Sequence, residues 1–430
     1  MSEIPAVHPG AYSFTELFIS AISGGEELYL DLMPLLRNVT ISSSINQKAM
    51  TISMVIFDSA GIFKRYGLKG DELIVATWKT PEYISTTKQR EIAFRITNIG
   101  GIGYNETSDE SVLAIAGVSE LGYVQSFTSV DNYFSDNIST AAQKVFDKAK
   151  EKAIELDKKF YFDSKNNLTI DETEGTNDFI IPSDTPFDTM DYLASWAKTS
   201  PSYSNLFFFY QDLEGYNFKL LDNLFHDVHD ISLQERSFNF SGADNARSTI
   251  TRPDIACKQI ISFNQINRSS SFAFAESGAI HNTIATVDYF TKSVERKSLK
   301  YVQEDVDPLL STLPVTDDFL DTFGKESNST DWLHINKGLP NYIDTSDSHI
   351  AKKIYGNVFF NNLIQIRIPG NSDLDIGEGV YLNINEMNTA SNKKEADSML
   401  SGKFLIKDLT HSFTATTYYQ IINLCRIGDY

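Results

Sequence analysis

The sequence predicts a β-rich α+β fold, with strand-built regions at both ends of the chain and a mixed α/β region between them. Three observations carry this. Val, Ile and Thr alternate with polar residues before Glu120 and again after Lys258. Apolar residues recur at helical spacing from Ile138 to Ala153 and from Phe187 to Ala197. The stretch LKGDELIVATW around Gly70 is echoed around Gly377 by DIGEGVYLNI: a Gly–acid turn leads into an alternating strand, and a further strand pair follows each. An echo of that kind implies two copies of one small antiparallel barrel in a single chain.

Taken in order, the first strands fall at 38–57 (NVTISSS and MTISMVIF), 71–78, 91–99 and 111–120, separated by turns rich in Gly, Asn and Asp. A helix follows, with Ile138, Ala142, Val145, Phe146, Ala149 and Ala153 as its stripe and Thr140 with Gln143 as a capping box. A second helix opens at Thr185-Pro186-Phe187-Asp188, with Thr185 as N-cap, Pro186 at the first position and an acid at the third. Its apolar stripe is Phe187, Met190, Leu193, Ala194 and Ala197. A hairpin comes next, 206–210 and 216–220 around the turn 212–215. Strands return at 258–266, 283–294, 357–369, 403–409 and 418–426. A Pro-containing, acidic segment from Tyr301 to Tyr355 reads as a long insert or an arm at an interface.

A chain of 430 residues exceeds one ordinary core, which sets two or three domains as the expectation. Residues 1–125 are expected to form a first small barrel or sandwich and 126–254 the mixed middle region. Residues 255–300 with 357–430 form the second barrel, and 301–356 are the insert.

Composition narrows the function. Fifty-seven acidic against 37 basic residues give a net charge of −20, opposed to gripping phosphates. The same acidity suits a surface that repels nucleic acid, or one that keeps a large protein soluble. No run of 18 apolar residues exists, and the first ten residues lack a basic start and an apolar core. No membrane span or secretory signal is therefore expected, and the compartment is cytoplasm-like.

Candidates for chemistry are few. His226 and His229 in HDVHD share a helix face at i and i+3, yet no third ligand motif accompanies them, and surface histidines beside acids are commoner than metal sites. Gly100, Gly101 and Gly103 follow a strand as a phosphate loop does, without GxGxxG spacing or a Lys-Ser ending; a glycine-rich strand connection fits better. His411 has no nucleophile motif beside it. Cys257 and Cys425 are far apart and read as small buried hydrophobes, Cys425 in mid-strand where burial makes a thiol inert. No catalytic, cofactor-binding or metal-ligating residue is assigned, and the chain is expected not to be an enzyme.

The order of segments resembles the baseplate-hub proteins of contractile-tailed bacteriophages, which are related to the hub portion of type VI secretion spike proteins. The resemblance is carried by RNVTISSSINQKAMTISMVIFDSAGIFKRYGLKGDELI, FSDNISTAAQKVFDKA and DTPFDTMDYLASWAKTSPSYSNLFFFYQDLEGYNFKLLDNLF. It continues through ESGAIHNTIATVDYFTKSVERKSLKY, similar to the hairpin that begins a second barrel, IQIRIPGNSDLDIGEGVYLNI, and SGKFLIKDLTHSFTATTYYQIINLCRIG. The insert 301–355 and the acidic segment 158–176 lie outside the pattern.

The resemblance implies two tail-tube-like barrels per chain and a homotrimer. Six barrels would adapt a sixfold tail tube to a threefold central spike and enclose a channel for DNA ejection. Implied partners are the tail tube and central spike proteins, with tape-measure and baseplate wedge proteins as neighbours. The implied location is the virion tail baseplate, after assembly in the host cytoplasm. DNA passes through without specific binding. The alternatives of another class are a cell-envelope glycan hydrolase and a glycan-binding tail module. In the hub reading the last thirty residues are the closing strand pair of the second barrel, with His411 a hydrogen-bonding structural residue.

Overall fold

The computed structural model describes residues 13–23, 26–58, 61, 67–80, 88–104, 111–156, 166–200, 202, 204–230, 236–240, 257–268, 271–300, 322, 329–335, 337–338, 344–359, 362–384 and 400–426. No helix among them is long and apolar enough to cross a membrane. The class is the β-rich α+β expected from the sequence.

The chain opens with β1 (Ser13–Ser23), β2 (Glu26–Asp31), β3 (Leu36–Ser44), β4 (Thr51–Asp58), β5 (Leu73–Lys79), β6 (Arg90–Tyr104) and β7 (Ser111–Ser119). They pair antiparallel in the spatial order β3-β4-β7-β6-β5-β1-β2. Alternation does the sorting: Val39, Ile41, Ile52, Met54 and Ile115 point into one core, while Thr40, Ser42, Thr51 and Ser53 lie on the other face. Gly100, Gly101 and Gly103 fall inside β6, so they are not a strand connection. The β6–β7 register slips between Gly100 and Gly103, and a bulge is where strand glycines are tolerated.

The middle region comprises α1 (Glu120–Val124), β8 (Val130–Asp136), α2 (Ile138–Leu156), β9 (Leu168–Ile170), β10 (Asn177–Asp184), α3 (Pro186–Trp196), β11 (Phe207–Gln211), β12 (Tyr216–Leu220) and α4 (Leu221–Asp230). The stripes of α2 and α3 meet over the β11–β12 hairpin, where Ala142, Phe146, Phe187, Met190, Phe209 and Tyr216 are all buried. Thr185 caps α3 as expected, its Oγ1 accepting the Asp188 N–H at 3.3 Å. The cap of α2 differs from the expected Thr140–Gln143 box. The helix begins one turn earlier, Asn137 Oδ1 accepts the Thr140 N–H at 2.8 Å, and Gln143 reaches forward to Asp147.

Next come β13 (Ser237–Phe240), β14 (Ser262–Arg268), α5 (Ser271–Ser277), β15 (His281–Asp288), β16 (Ser293–Lys300), β17 (Ser329–Ile335), α6 (Ser346–Phe359), β18 (Asn362–Pro369), β19 (Gly379–Ile384), β20 (Gly402–Thr414) and β21 (Tyr418–Arg426). Residues 283–294, read from sequence as one strand, are parts of two, because Tyr289–Lys292 turn the chain and Lys292 takes φ +55°. The β15–β16 hairpin forms a three-stranded sheet with β17 and, among the described residues, pairs with no strand of the large sheet. Residues 357–359, read as strand, end α6, whose Ile350, Ile354 and Tyr355 are buried in the second core. The segment read as an insert thus supplies β17 and α6.

The large sheet contains one strand unit twice. The first unit runs β3-β4-β7-β6-β5 and the second β14-β18-β21-β20-β19, every neighbouring pair antiparallel. The correspondence reaches single residues. Gly70 (φ +98°) and Gly377 (φ +77°) hold the left-handed turns that the sequence echo contains. The carbonyls of Glu72 and Glu378 then accept the N–H groups of Ile96 at 3.0 Å and Ile406 at 2.8 Å. Past those isoleucines the register slips in both copies, between Ile96 and Asn98 and between Ile406 and Asp408. The copies differ in the link between their first two strands, residues 45–50 in one and 269–361 in the other.

Candidate functional site: the seam between the two β units

The units are joined through one strand. β20 pairs with β19 through its first residues and with β3 through Asp408–Thr414, so the second unit continues into the first as one sheet. On the free face, polar side chains cross the joint. Gln365 Nε2 donates to Asn423 Oδ1 at 3.0 Å, Asn423 Nδ2 donates to Asp408 Oδ2 at 2.9 Å, and the Ser44 hydroxyl donates to Asp408 Oδ1. Thr410 and Ser42 hydroxyls meet at 3.3 Å beside them. Cross-strand polar pairs of this kind fix register.

On the covered face the joint is aromatic. Phe413 and Tyr418 belong to the core of the first unit, stacked at 4.3 Å, with Phe14 4.7 Å and Trp78 5.6 Å from Phe413. His411 is fully buried among them. Its Nδ1 lies 2.7 Å from the Tyr418 hydroxyl, its ring meets Trp78 edge-on at 5.5 Å, and Nε2 has no partner among the described residues. Burial first, and the Arg90 charge second, hold the imidazole down at about 3 from its usual 6.5. It is neutral at physiological pH, with the buried Tyr418 hydroxyl as its hydrogen-bond partner.

Behind the aromatics lies a buried ionic knot. Arg90, 2% exposed, donates from Nε to the Ser372 carbonyl at 2.5 Å and pairs with Glu214 in the β11–β12 turn; Asp375, 4% exposed, is 3.9 Å away. The Asp375 carboxylate accepts the N–H of Leu213 at 3.0 Å and of Ile376 at 2.9 Å. Burial and the nearby Asp212 carboxylate push the Asp375 carboxyl up, against the opposing pull of Arg90. One guanidinium therefore ties together the first unit, the middle hairpin and the loop opening β19.

His226 and His229 lie on the exposed face of α4, whose buried face, Leu224, Phe225 and Val228, packs on the second core. Among the described residues no group of three or more His, Cys, Asp or Glu is placed to hold a metal ion. Cys425 is fully buried, and burial pushes its thiol up; Cys257 is also buried. Sequence reasoning missed Arg90, Asp375, Glu214 and Trp78 because their contacts join positions far apart in the chain, with no local motif. It also missed Lys352. In a cleft of about 510 Å3 its ammonium donates to the carbonyls of Ala194, Ser195 and Ala197 at 2.7–2.9 Å, closing the end of α3, and burial lowers it to about 7. These groups fasten elements together.

No protein-family model and no curated protein matches the sequence. Solved structures do. A tail protein from Neisseria meningitidis MC58 is 11% identical, with 96% of this chain and 97% of that chain aligned at a TM-score of 0.53. The 43 kDa tail protein of prophage MuSo2 from Shewanella oneidensis is 8% identical, with 95% and 98% aligned at 0.51. A type VI secretion system component from E. coli is 8% identical, with 97% and 76% aligned at 0.44. The chain therefore has the fold of the two tail proteins, end to end.

Proposed function

We propose that the chain is the structural hub of a contractile-tail baseplate. In this reading it assembles as a homotrimer that adapts the sixfold tail tube to the threefold central spike and encloses the channel for DNA. The observation that carries it is the unit β3-β4-β7-β6-β5 repeated as β14-β18-β21-β20-β19. Three chains with two such units each present six similar surfaces, while the chain as a whole keeps threefold symmetry. The two tail proteins of the same fold support placement in a tail, and with it the virion baseplate as location and assembly in the host cytoplasm.

The free face of the sheet supports the channel. The bulk of the protein packs on the opposite face, so in a ring the uncovered face turns inward. Thr40, Ser42, Ser53, Thr410, Asn423 and Gln365 lie on it and are uncharged. With Asp408 and Arg367 also on it, the wall is mostly hydroxyl and amide and offers phosphates few fixed cations.

Light scattering on the purified protein, alone and with the spike protein, tests the reading. A trimer, with a central channel in negative-stain images and binding to tail tube ends, is expected. A protein that stays monomeric and binds neither tube nor spike overturns it, as does clearing of purified peptidoglycan by the isolated chain.

A further inference from the structure

We infer that residues 98–104 of β6 in one copy pair antiparallel with β14 of a second copy, in the register that β20 and β3 use within the chain. The inference rests on the homotrimeric reading above and adds the strands that make its seam. Its basis is the internal repeat. β20 pairs with β19 as far as Leu405, and from Asp408 the place of β19 is taken by β3. β6 is the counterpart of β20. It pairs with β5 only as far as Arg95, and beyond that no strand takes the vacant side among the described residues. β14 is the counterpart of β3, and among the described residues it pairs with β18 alone. The chain thus makes one such junction and carries the two halves of another at opposite ends of a continuous run of strands.

The correspondence sets the register. Asn98, Ile99 and Gly100 match Asp408, Leu409 and Thr410, and Gly103 matches Ser412 through their pairing with β7 and β21. Asn264 and Asn267 match Thr40 and Ser42 through β18 and β4. Since Thr410 faces Ser42 and Ser412 faces Thr40, Gly100 faces Asn267 and Gly103 faces Asn264 across the seam. Between these pairs each strand has one residue more than its counterpart: β6 slips between Gly100 and Gly103, β14 between Gln265 and Asn267. Two residues therefore face two, and the irregularities cancel.

The edges are also suited to pairing. Natural sheets blunt free edges with charge or proline, yet NIGGIGY at 98–104 and SFNQIN at 262–267 contain neither.

Cysteine pairs test the seam in the full chain. Ser42→Cys with Thr410→Cys, at the junction inside the chain, is the control and closes a disulfide within one copy. Gly103→Cys with Asn264→Cys joins copies, so oxidation is expected to convert the protein to covalent trimers on a non-reducing gel, while either single variant stays at monomer mass. Ile99→Cys with Arg268→Cys repeats the test should the first pair disturb folding. If wild type is a trimer by light scattering and the control pair closes, but neither inter-copy pair cross-links, the seam is wrong and the hub reading stands. A wild type that never trimerises overturns both.

Discussion

The Arg90 guanidinium and the Asp375 carboxylate, 3.9 Å apart and almost wholly buried, tie the first strand unit to the loop that opens β19 in the second. Arg90→Met leaves Asp375 without its opposing charge and the Ser372 carbonyl without its donor. A loss of about 3–5 kcal/mol by chemical denaturation is expected. Asp375→Asn added to it is expected to restore part of that loss, since both charges then go. The Asp375 carboxyl already sits above its usual range, and losing Arg90 raises it further. A raised carboxyl contributes stability at low pH that is lost as pH rises through its folded value, so the variant is closest to wild type in acid. An equal loss at all pH values would count against the pairing.

His411 sets a pH limit of the opposite sense. Its value is held at about 3 in the fold against 6.5 outside it, so the neutral ring stabilises the protein above 6.5, and that contribution is lost as pH falls towards 3. His349, lowered to about 4 by burial, acts in the same direction. His411→Phe is expected to flatten the acid limb of a melting-temperature profile. At neutral pH it costs about 1–3 kcal/mol through the loss of the Tyr418 partner. An unchanged acid limb would remove His411 from this role.

Gly370 lies against Tyr418, and a Cβ there would stand inside the tyrosine ring. Gly370→Ala is therefore expected to displace the ring and destabilise by about 1–3 kcal/mol. Near-ultraviolet dichroism should change with it. Gly61→Ala, where a Cβ meets nothing within 4 Å, is the comparison, since only its φ of +62° opposes the substitution.

Thr185→Ala removes the cap of α3 and is expected to cost about 1 kcal/mol. Thr185→Ser should recover most of it. A loss retained in the serine variant would show that the methyl group, and not the hydroxyl, matters there.

Cys425 is expected to stay unreactive towards a thiol reagent in the native protein and to react on unfolding, because burial disfavours its thiolate. Rapid native labelling of Cys425 would mean that the β18–β21–β20 ladder opens locally.

Much of the fold was legible from residues close in sequence. The echo at Gly70 and Gly377 could be read because a left-handed turn demands a residue without a side chain and an alternating strand follows it. Thr185-Pro186 marked α3 for a similarly local reason. β15 and β16 merged in the reading because Tyr289 to Lys292 lacks a strong turn signal, and the end of α6 read as strand because Asn357, Val358 and Phe359 suit either state. At the seam, Cys425 was read as buried in mid-strand, whereas His411 was placed beyond the strand 403–409 and its burial was not read. Arg90 and Asp375 were not read as buried either, since nothing local distinguishes a buried ion from a solvated one, and their exposed partner Glu214 was missed with them. The paired bulges were equally hidden, because a bulge exists only relative to the partner strand.

In the proposed hub, the mostly hydroxyl and amide face of the continuous sheet has a consequence for transport. Along a lining made mostly of hydroxyls and amides, with the charges of Asp408 and Arg367 widely spaced among them, a sliding polyanion exchanges most of its hydrogen bonds with water and with Ser, Thr, Asn and Gln at nearly equal cost. Friction along such a wall would depend on ionic strength mainly where those charges lie. Elsewhere the passage would be as smooth in dilute medium as in the salt of a host cell.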